Sequence, residues 1–270
     1  MRYRYISDSH AHSDCSIDGV DPATMLCERA AALGLYALTV TDHCECDAYL
    51  KDGYDKAIRQ SFFEARKARA VFRDRLRVYA GMELGQPLHD LDAAEKALSS
   101  CSFDFVLGSV HNLRDKEDFY FLDYGSVNVE VLLQCYFDEL LEMVEWGGFD
   151  SLAHLTYPLR YIVGDHGIPV DLNRFRPSID AILKALVERD LALEINTSGL
   201  RQAIGRTMPE LDIVARFKEL GGRYVTIGSD AHRWADIGAG VEEGIALAAK
   251  AGFTHFAVYE QRRPRLLPIE

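Results

Sequence analysis

Nine side chains able to ligate metal ions sit almost without exception just after short apolar runs: His10, His12, Asp18, His43, Glu83, His111, His154, Asp230 and His232. The strings are SDSHAHSDCSIDG, ALTVTDH, VYAGMELG, FVLGSVHN, SLAHL and VTIGSDAH. A strand whose exit turn carries a histidine or a carboxylate says little once. Six such exits predict that the strand ends meet at one place, as they do at the carboxyl face of a β/α barrel. So many imidazoles and acids at one point would compete for protons unless cations held them. The pattern therefore points to a multinuclear metal site and to hydrolytic chemistry.

Each signal is weaker alone. His10 and His12 are two apart, so on an extended strand both point the same way and can reach one ion. Asp230 and His232 repeat that spacing. Glu83 closes a buried run, where a carboxylate needs a partner; the bland alternative is a salt bridge to an arginine. Its two oxygens make it the natural bridge between two cations. His111 and His154, taken singly, read as satisfied core histidines. Asp42, next to His43, is a candidate to orient that imidazole from behind. His89, His166 and His255 do not follow strands and are assigned to packing or surface.

The elements that must position these groups alternate from end to end. Strands are expected at 3–7, 36–41, 77–82, 103–109, 151–153, 191–195 and 224–228, with a last strand-like run at 254–259. Asp21-Pro22 should open the first helix, with Asp21 as its N-cap and Pro22 in the first turn, and Gly34 should stop it. Further helices are expected at 54–72, 91–98, 127–146, 209–220 and 241–251, with Ile179, Ile182, Leu183, Leu186 and Val187 at the spacing of a covering face. The polar and aromatic stretch 112–125 has no period and reads as a lid or binding loop. Alternation of this kind builds a parallel sheet wound with helices. Closure into a barrel is preferred over an open sheet, because donors follow nearly every strand rather than one crevice.

Bulk properties exclude several classes. The 270 residues, 48% of them apolar, suit one domain, 1–270. No signal segment and no membrane-length apolar run is present, so a cytoplasmic location is expected. The six cysteines, including the C-x-C of Cys44 and Cys46, lack a second pair for a thiolate zinc site and are expected to be reduced. A net charge of −12 without a basic stripe argues against extended nucleic acid, and the QRRPR tail reads as a solvated end. Acidity does not bar a small phosphorylated substrate, because clustered cations reverse the local field.

Taken as a set, HAH with Asp18, TDH, GMELG, GSVH, AH and SDAH resemble the polymerase and histidinol phosphatase (PHP) superfamily over nearly the whole chain. The resemblance implies a distorted (β/α)7 barrel with a trinuclear centre. It implies one site from His10, His12, Glu83 and Asp230, a second sharing Glu83 with His111 and His154, and a third from Asp18, His43 and His232. HSDCSIDG, ELGQP, GSVHN and EINTSGLR are most similar to the histidinol-phosphate phosphatase branch. Within it, Arg201 matches a phosphate-contacting position and Arg160, in LTYPLRY, a second one, although AHLTYPLRY departs from the branch's more GHPD-like stretch.

The expected cofactors are up to three divalent transition ions, zinc, manganese or iron, which imidazole and carboxylate ligands do not distinguish. The expected reaction is direct attack on the phosphorus of a monoester by a metal-bridging hydroxide, with Glu83, Asp230 and His232 catalytic and Arg160 and Arg201 clamping the phosphoryl group. The leaving-group acid stays open between His232 and a water. Two other readings stand beside this one: a phosphoesterase of the same superfamily acting on another small phosphate, a nucleotide or phosphotyrosine, and a metal-stabilised interaction module without catalysis.

Overall fold

The computed structural model describes residues 3–270. Seven parallel strands form the main sheet in the order β1 (Ser7–Asp8), β2 (Ala37–Val40), β4 (Arg77–Gly85), β5 (Phe105–Ser109), β6 (Ser151–Leu152), β7 (Ala192–Asn196) and β8 (Val225–Gly228), while β3 (His43–Glu45) pairs with the far end of β4. The seam between the first and last of these closes through the main chain. Ser9 N donates to Ile227 O, Asp230 N to His10 O and His12 N to Ala231 O, at 2.8–2.9 Å, and Ala11 bridges Ala231 in parallel. The sheet is thus a distorted barrel, closed where the HAH and DAH strings leave it.

Helices α1 (Ala23–Ala32), α2 (Tyr54–Phe72), α3 (Leu91–Ser100), α4 (Val129–Trp146), α5 (Arg176–Glu188) and α6 (Leu211–Glu219) provide the crossovers expected of parallel strands, and α7 (Val241–Lys250) follows the last of them. Their apolar faces join the strands in a core running from Ile6 to Leu267. Ile179, Ile182, Leu183 and Leu186 are buried on α5 as their spacing demands. The last run, β9 (His255–Glu260), stays outside the barrel and pairs antiparallel with β10 (Arg263–Pro268). Among the described residues no helix is long and apolar enough to cross a membrane.

Three local expectations are corrected. The first strand is only Ser7–Asp8, because residues 3–6 find no continuous ladder partner; Ile6 merely accepts from Tyr36 N at 2.7 Å. Asp21 does not cap α1. Pro22 holds the N-cap position, and the Asp21 carboxylate instead accepts from Trp234 N at 2.7 Å. The QRRPR stretch is largely exposed, as expected, but is not a free end: it turns the chain and enters β10, with Arg262 tied to Asp150 and to Gly148 O. All six cysteines are free.

Candidate metal centre

The parallel bridge at Ala11 and Ala231 explains why two short strings carry so much chemistry. Both alanines are buried, and the residues flanking them project to the opposite face. His10, His12, Asp230 and His232 therefore converge from the two sides of the barrel seam. Asp230 sits in the left-handed region at φ +53°, where an aspartate is tolerated better than most residues. Gly228, two residues earlier at the end of β8, is required by crowding: a Cβ there would lie 2.3 Å from His10 Cβ and 2.5 Å from Glu194 Oε1.

Glu83, at the exit of β4, lies at the centre and divides its oxygens. Oε1 is 2.8 Å from His154 Nε2 and 3.2 Å from His111 Nε2. Oε2 is 3.3 Å from His10 Nε2, 3.6 Å from His12 Nε2 and 3.0 Å from His43 Nδ1. Asp230 Oδ1 completes the second set, 3.8 Å from His10 Nε2 and 3.4 Å from His12 Nε2. A third group is formed by Asp18, 3.1 Å from His232 Nε2 and 3.6 Å from His43 Nε2, with those two nitrogens 3.4 Å apart. Among the described residues the arginine partner considered for Glu83 is absent, since its ion pairs are all with histidines.

The outward nitrogens are tied down. His10 Nδ1–H donates to Glu194 at 2.7 Å, His12 Nδ1–H to Ser16 Oγ at 3.3 Å, His111 Nδ1–H to Glu45 at 3.1 Å and His232 Nδ1–H to Asp230 O at 3.1 Å. These partners select the tautomer that leaves Nε2 as a lone pair pointing inward. His10 Nε2, His12 Nε2, His43 Nδ1 and Glu83 Oε2 are all buried without a hydrogen bond. Buried polar atoms are rarely left so, and a convergent set of lone pairs is what a divalent cation satisfies. The donor set fits such ions.

The comparisons agree with this geometry. The PHP domain model matches residues 8–198. A probable histidinol-phosphatase of Thermotoga maritima is 31% identical over 254 residues, 93% of this chain and 94% of its own length. The histidinol-phosphatase of Lactococcus lactis is 29% identical over 262 residues, covering 93% of each. A crystal structure of histidinol phosphate phosphatase from Lactococcus lactis, complexed with zinc, L-histidinol and phosphate, matches with a TM-score of 0.78 at 26% identity, over 96% of this chain and 98% of that one. The chain belongs to the PHP domain family.

The electrostatics of this PHP site suit cations. Burial disfavours charge on His10, yet Glu194, Glu83 and Asp230 outweigh it and raise its pKa well above the ordinary value. His111 is pushed up to about 10 against the same burial penalty by Glu45 and Glu83. His12 goes the other way: burial and the neighbouring His232 and His43 charges lower its pKa well below the usual range. Burial would raise Glu83 and Asp230, but the surrounding imidazoles hold both carboxyls well below it. The acids thus create a negative field that draws protons or metal ions into a shared space.

Glu194 and Glu45 are the site carboxylates that sequence reasoning missed. Glu194 is fully buried in β7, binding His10 through one oxygen and accepting from His154 N at 2.9 Å through the other. Glu45, in β3, lies 3.2 Å from His43 Nδ1 as well as beside His111. Its side chain packs over Gly85, where a Cβ would lie 2.0 Å from Glu45 Oε2. Asp42 does not orient His43. It accepts from Ser13 N, Ser13 Oγ, Ser16 Oγ and Ser61 Oγ, and so braces His12 through Ser16.

The two arginines border the cluster differently. Arg201 Nη2 donates to Asp230 O at 3.3 Å from the end of a short helical turn, Ser198–Arg201, which sets it beside the donor groups. Arg160 opens a π-helical turn, Arg160–Asp165, and its guanidinium carbon lies 6.0 Å and 5.5 Å from the ring centres of Tyr157 and Tyr161. Its charge also interacts with Asp230.

Proposed function

We propose that this PHP protein is a histidinol-phosphatase, hydrolysing the phosphomonoester of L-histidinol phosphate in a single domain, 1–270, in the cytoplasm. The observation that carries the reading is the division of Glu83 between two groups of imidazoles, in a chain alike over nearly its whole length to a histidinol phosphate phosphatase solved with zinc, L-histidinol and phosphate.

His10, His12, Glu83 and Asp230 would hold one ion, Glu83 with His111 and His154 a second, and Asp18, His43 and His232 a third; zinc, manganese and iron all suit this donor set. Divalent ions supply Lewis-acid charge for the phosphoryl oxygens and a water acidic enough to be the nucleophile near neutral pH. Glu83, Asp230 and His232 serve catalysis by fixing the ions relative to one another. Arg201 and Arg160 present planar forks of donors that hold the phosphoryl group while charge develops on it. His232 commits Nδ1–H to Asp230 O and turns Nε2 to Asp18, so the leaving alkoxide takes its proton from water. No extended nucleic acid is a substrate, since the chain carries a net charge of −12.

The test is hydrolysis of L-histidinol phosphate beside an aryl phosphate and a nucleoside monophosphate, after chelation and after adding back manganese or zinc. Metal-restored turnover with strong preference for the histidinol ester is expected. Equal slow rates on all three esters would point to another phosphoester, and metal uptake without turnover would leave a binding module.

A further inference from the structure

The loop that joins β5 to α4, residues 112–125, is anchored rather than loose. Phe119 is fully buried, its N–H donates to His111 O at 3.0 Å, and its ring meets Tyr136 edge-on at 5.3 Å. Tyr124 is buried too and donates its hydroxyl to Phe119 O at 2.7 Å. Asn112 Nδ2 holds the near side through Asp47 at 3.1 Å and Lys116 O at 3.2 Å. Position 118, just before Phe119, is therefore placed by the fold.

Asp118 occupies it with no counter-ion. Its carboxylate is half-buried and accepts from Tyr120 N at 2.7 Å, and it makes no ion pair among the described residues. Phe119, the next residue, donates its N–H to His111 O at 3.0 Å, and Tyr120, whose N–H binds the Asp118 carboxylate, meets Tyr161, which sets Asp118 at the edge of the metal-donor cluster, where its charge is felt by His111, Tyr157 and Tyr161. Arg160 lies over those same two tyrosines and, among the described residues, also has no carboxylate partner within ion-pair distance. Two opposite charges thus border one aromatic wall without neutralising each other. Tyr120 extends the wall outward, edge-on to Tyr161 at 5.7 Å.

A half-buried carboxylate without a cation is costly unless a ligand supplies one. L-histidinol phosphate is such a ligand, with an ammonium group only a few bonds from its phosphate. Resting on the histidinol-phosphatase reading, we infer that Asp118 binds the ammonium group of the substrate while Arg160 holds the phosphate, so that the 112–125 loop reads the amine. Complementary charge at two fixed points selects orientation and rejects phosphomonoesters that lack the cation. The alternative is that Asp118 only braces the turn at Tyr120.

The two roles separate in a comparison of L-histidinol phosphate with 3-(imidazol-4-yl)propyl phosphate, which differs only in lacking the amine. Loss of a charge-assisted contact should lower kcat/KM of Asp118→Asn for the histidinol ester by about 10- to 100-fold. Its kcat/KM for the amine-free ester should stay within about twofold of wild type, and Asp118→Glu should recover part of the preference. An equal fall on both esters makes Asp118 structural and overturns the inference, as does a wild-type protein that turns over both esters equally well. If the wild-type protein favours neither imidazole ester over an aryl phosphate, the histidinol-phosphatase reading itself has failed, and the inference falls with it. Should the Asn variant not fold, inhibition of the wild-type protein decides: L-histidinol should bind at least about 10-fold more tightly than its amine-free alcohol, and equal inhibition overturns the assignment.

Discussion

Glu194→Gln is the most informative single change, because it keeps shape and alters one proton. Glu194 is deeply buried, and both its oxygens are acceptors: Oε1 from His10 Nδ1–H at 2.7 Å, Oε2 from His154 N–H at 2.9 Å and from Asn196 Nδ2 at 3.2 Å. A glutamine offers one oxygen and one NH2 group. If the NH2 faces His154 N–H, two donors meet in a dry interior and one is left unpaired, at about 1–3 kcal/mol. If it faces His10, Nδ1 must become the acceptor, the proton moves to Nε2, and the nitrogen aimed at Glu83 and Asp230 is no longer a free ligand. Either orientation should weaken the ion held by His10 and His12. Loss of such a carboxylate behind a metal-binding histidine typically costs about 10- to 100-fold in metal affinity, or about 1.4–2.7 kcal/mol.

Competition titration with a zinc chelator measures this directly, and turnover at rising zinc gives a second reading. The variant should need about 10- to 100-fold more free zinc for half-maximal activity and should approach wild-type turnover at saturation. Unchanged zinc affinity in a folded Glu194→Gln protein would refute the argument that the carboxylate sets the His10 tautomer.

Other outcomes follow from the same geometry. Glu83→Ala removes both shared oxygens, so elemental analysis should find it depleted in metal and its activity at background; full turnover would end the bridging role. Arg201→Ala should raise KM for the phosphate ester by about 10- to 100-fold, the worth of a charge-assisted contact, while leaving zinc content unchanged. Chelation should lower Tm, because a ligand present at about 1,000 times its Kd stabilises the native state by about 4 kcal/mol. Zinc addition to the chelated protein should release protons measurable with an indicator dye, since His10, His43 and His111 have raised pKa values without metal. Away from the cluster, burial would lower the pKa of His89, but Asp47 and Glu139 raise it to about 9. That stabilisation, up to about 3 kcal/mol, is complete below the unfolded value near 6.5 and is lost as pH rises through about 9. Urea unfolding of His89→Gln should therefore show a larger deficit at pH 6 than at pH 10, and an equal deficit would show that the charge is not used.

Residue type and spacing made the strand exits legible, because a metal site built on strands repeats one local pattern that no single exit needs to prove. The two missed carboxylates failed for different reasons. Glu194 lies inside ALEIN, a wholly buried strand, and the argument applied to Glu83, that an acid in an apolar run needs a partner, would have found it. Glu45 gave no such signal. Its strand is three residues long and exists only because β4 runs on to Gly85 and offers it an edge. Asp42 was misdirected by adjacency in sequence. Successive residues of an extended chain point to opposite sides, so the neighbour of His43 cannot also face it, and the Ser13, Ser16 and Ser61 hydroxyls receive it instead.

Closure of the barrel and assembly of the cluster are the same event in this chain. His10 and His12 leave the first strand, Asp230 and His232 follow the last, and the bridge between Ala11 and Ala231 that zips the seam is what brings the four side chains together. Without a cation that seam places buried imidazoles and acids against one another, so that His10 holds its proton more tightly than usual and Asp230 more loosely. An ion held by His10, His12, Glu83 and Asp230 would join the same groups more strongly than a shared proton, and so would clasp the two ends of the sheet as well as serve the chemistry. The same coupling explains the short first strand. Two ladder residues hold it to β2, and the donors just beyond them tie it to β8 from the other side.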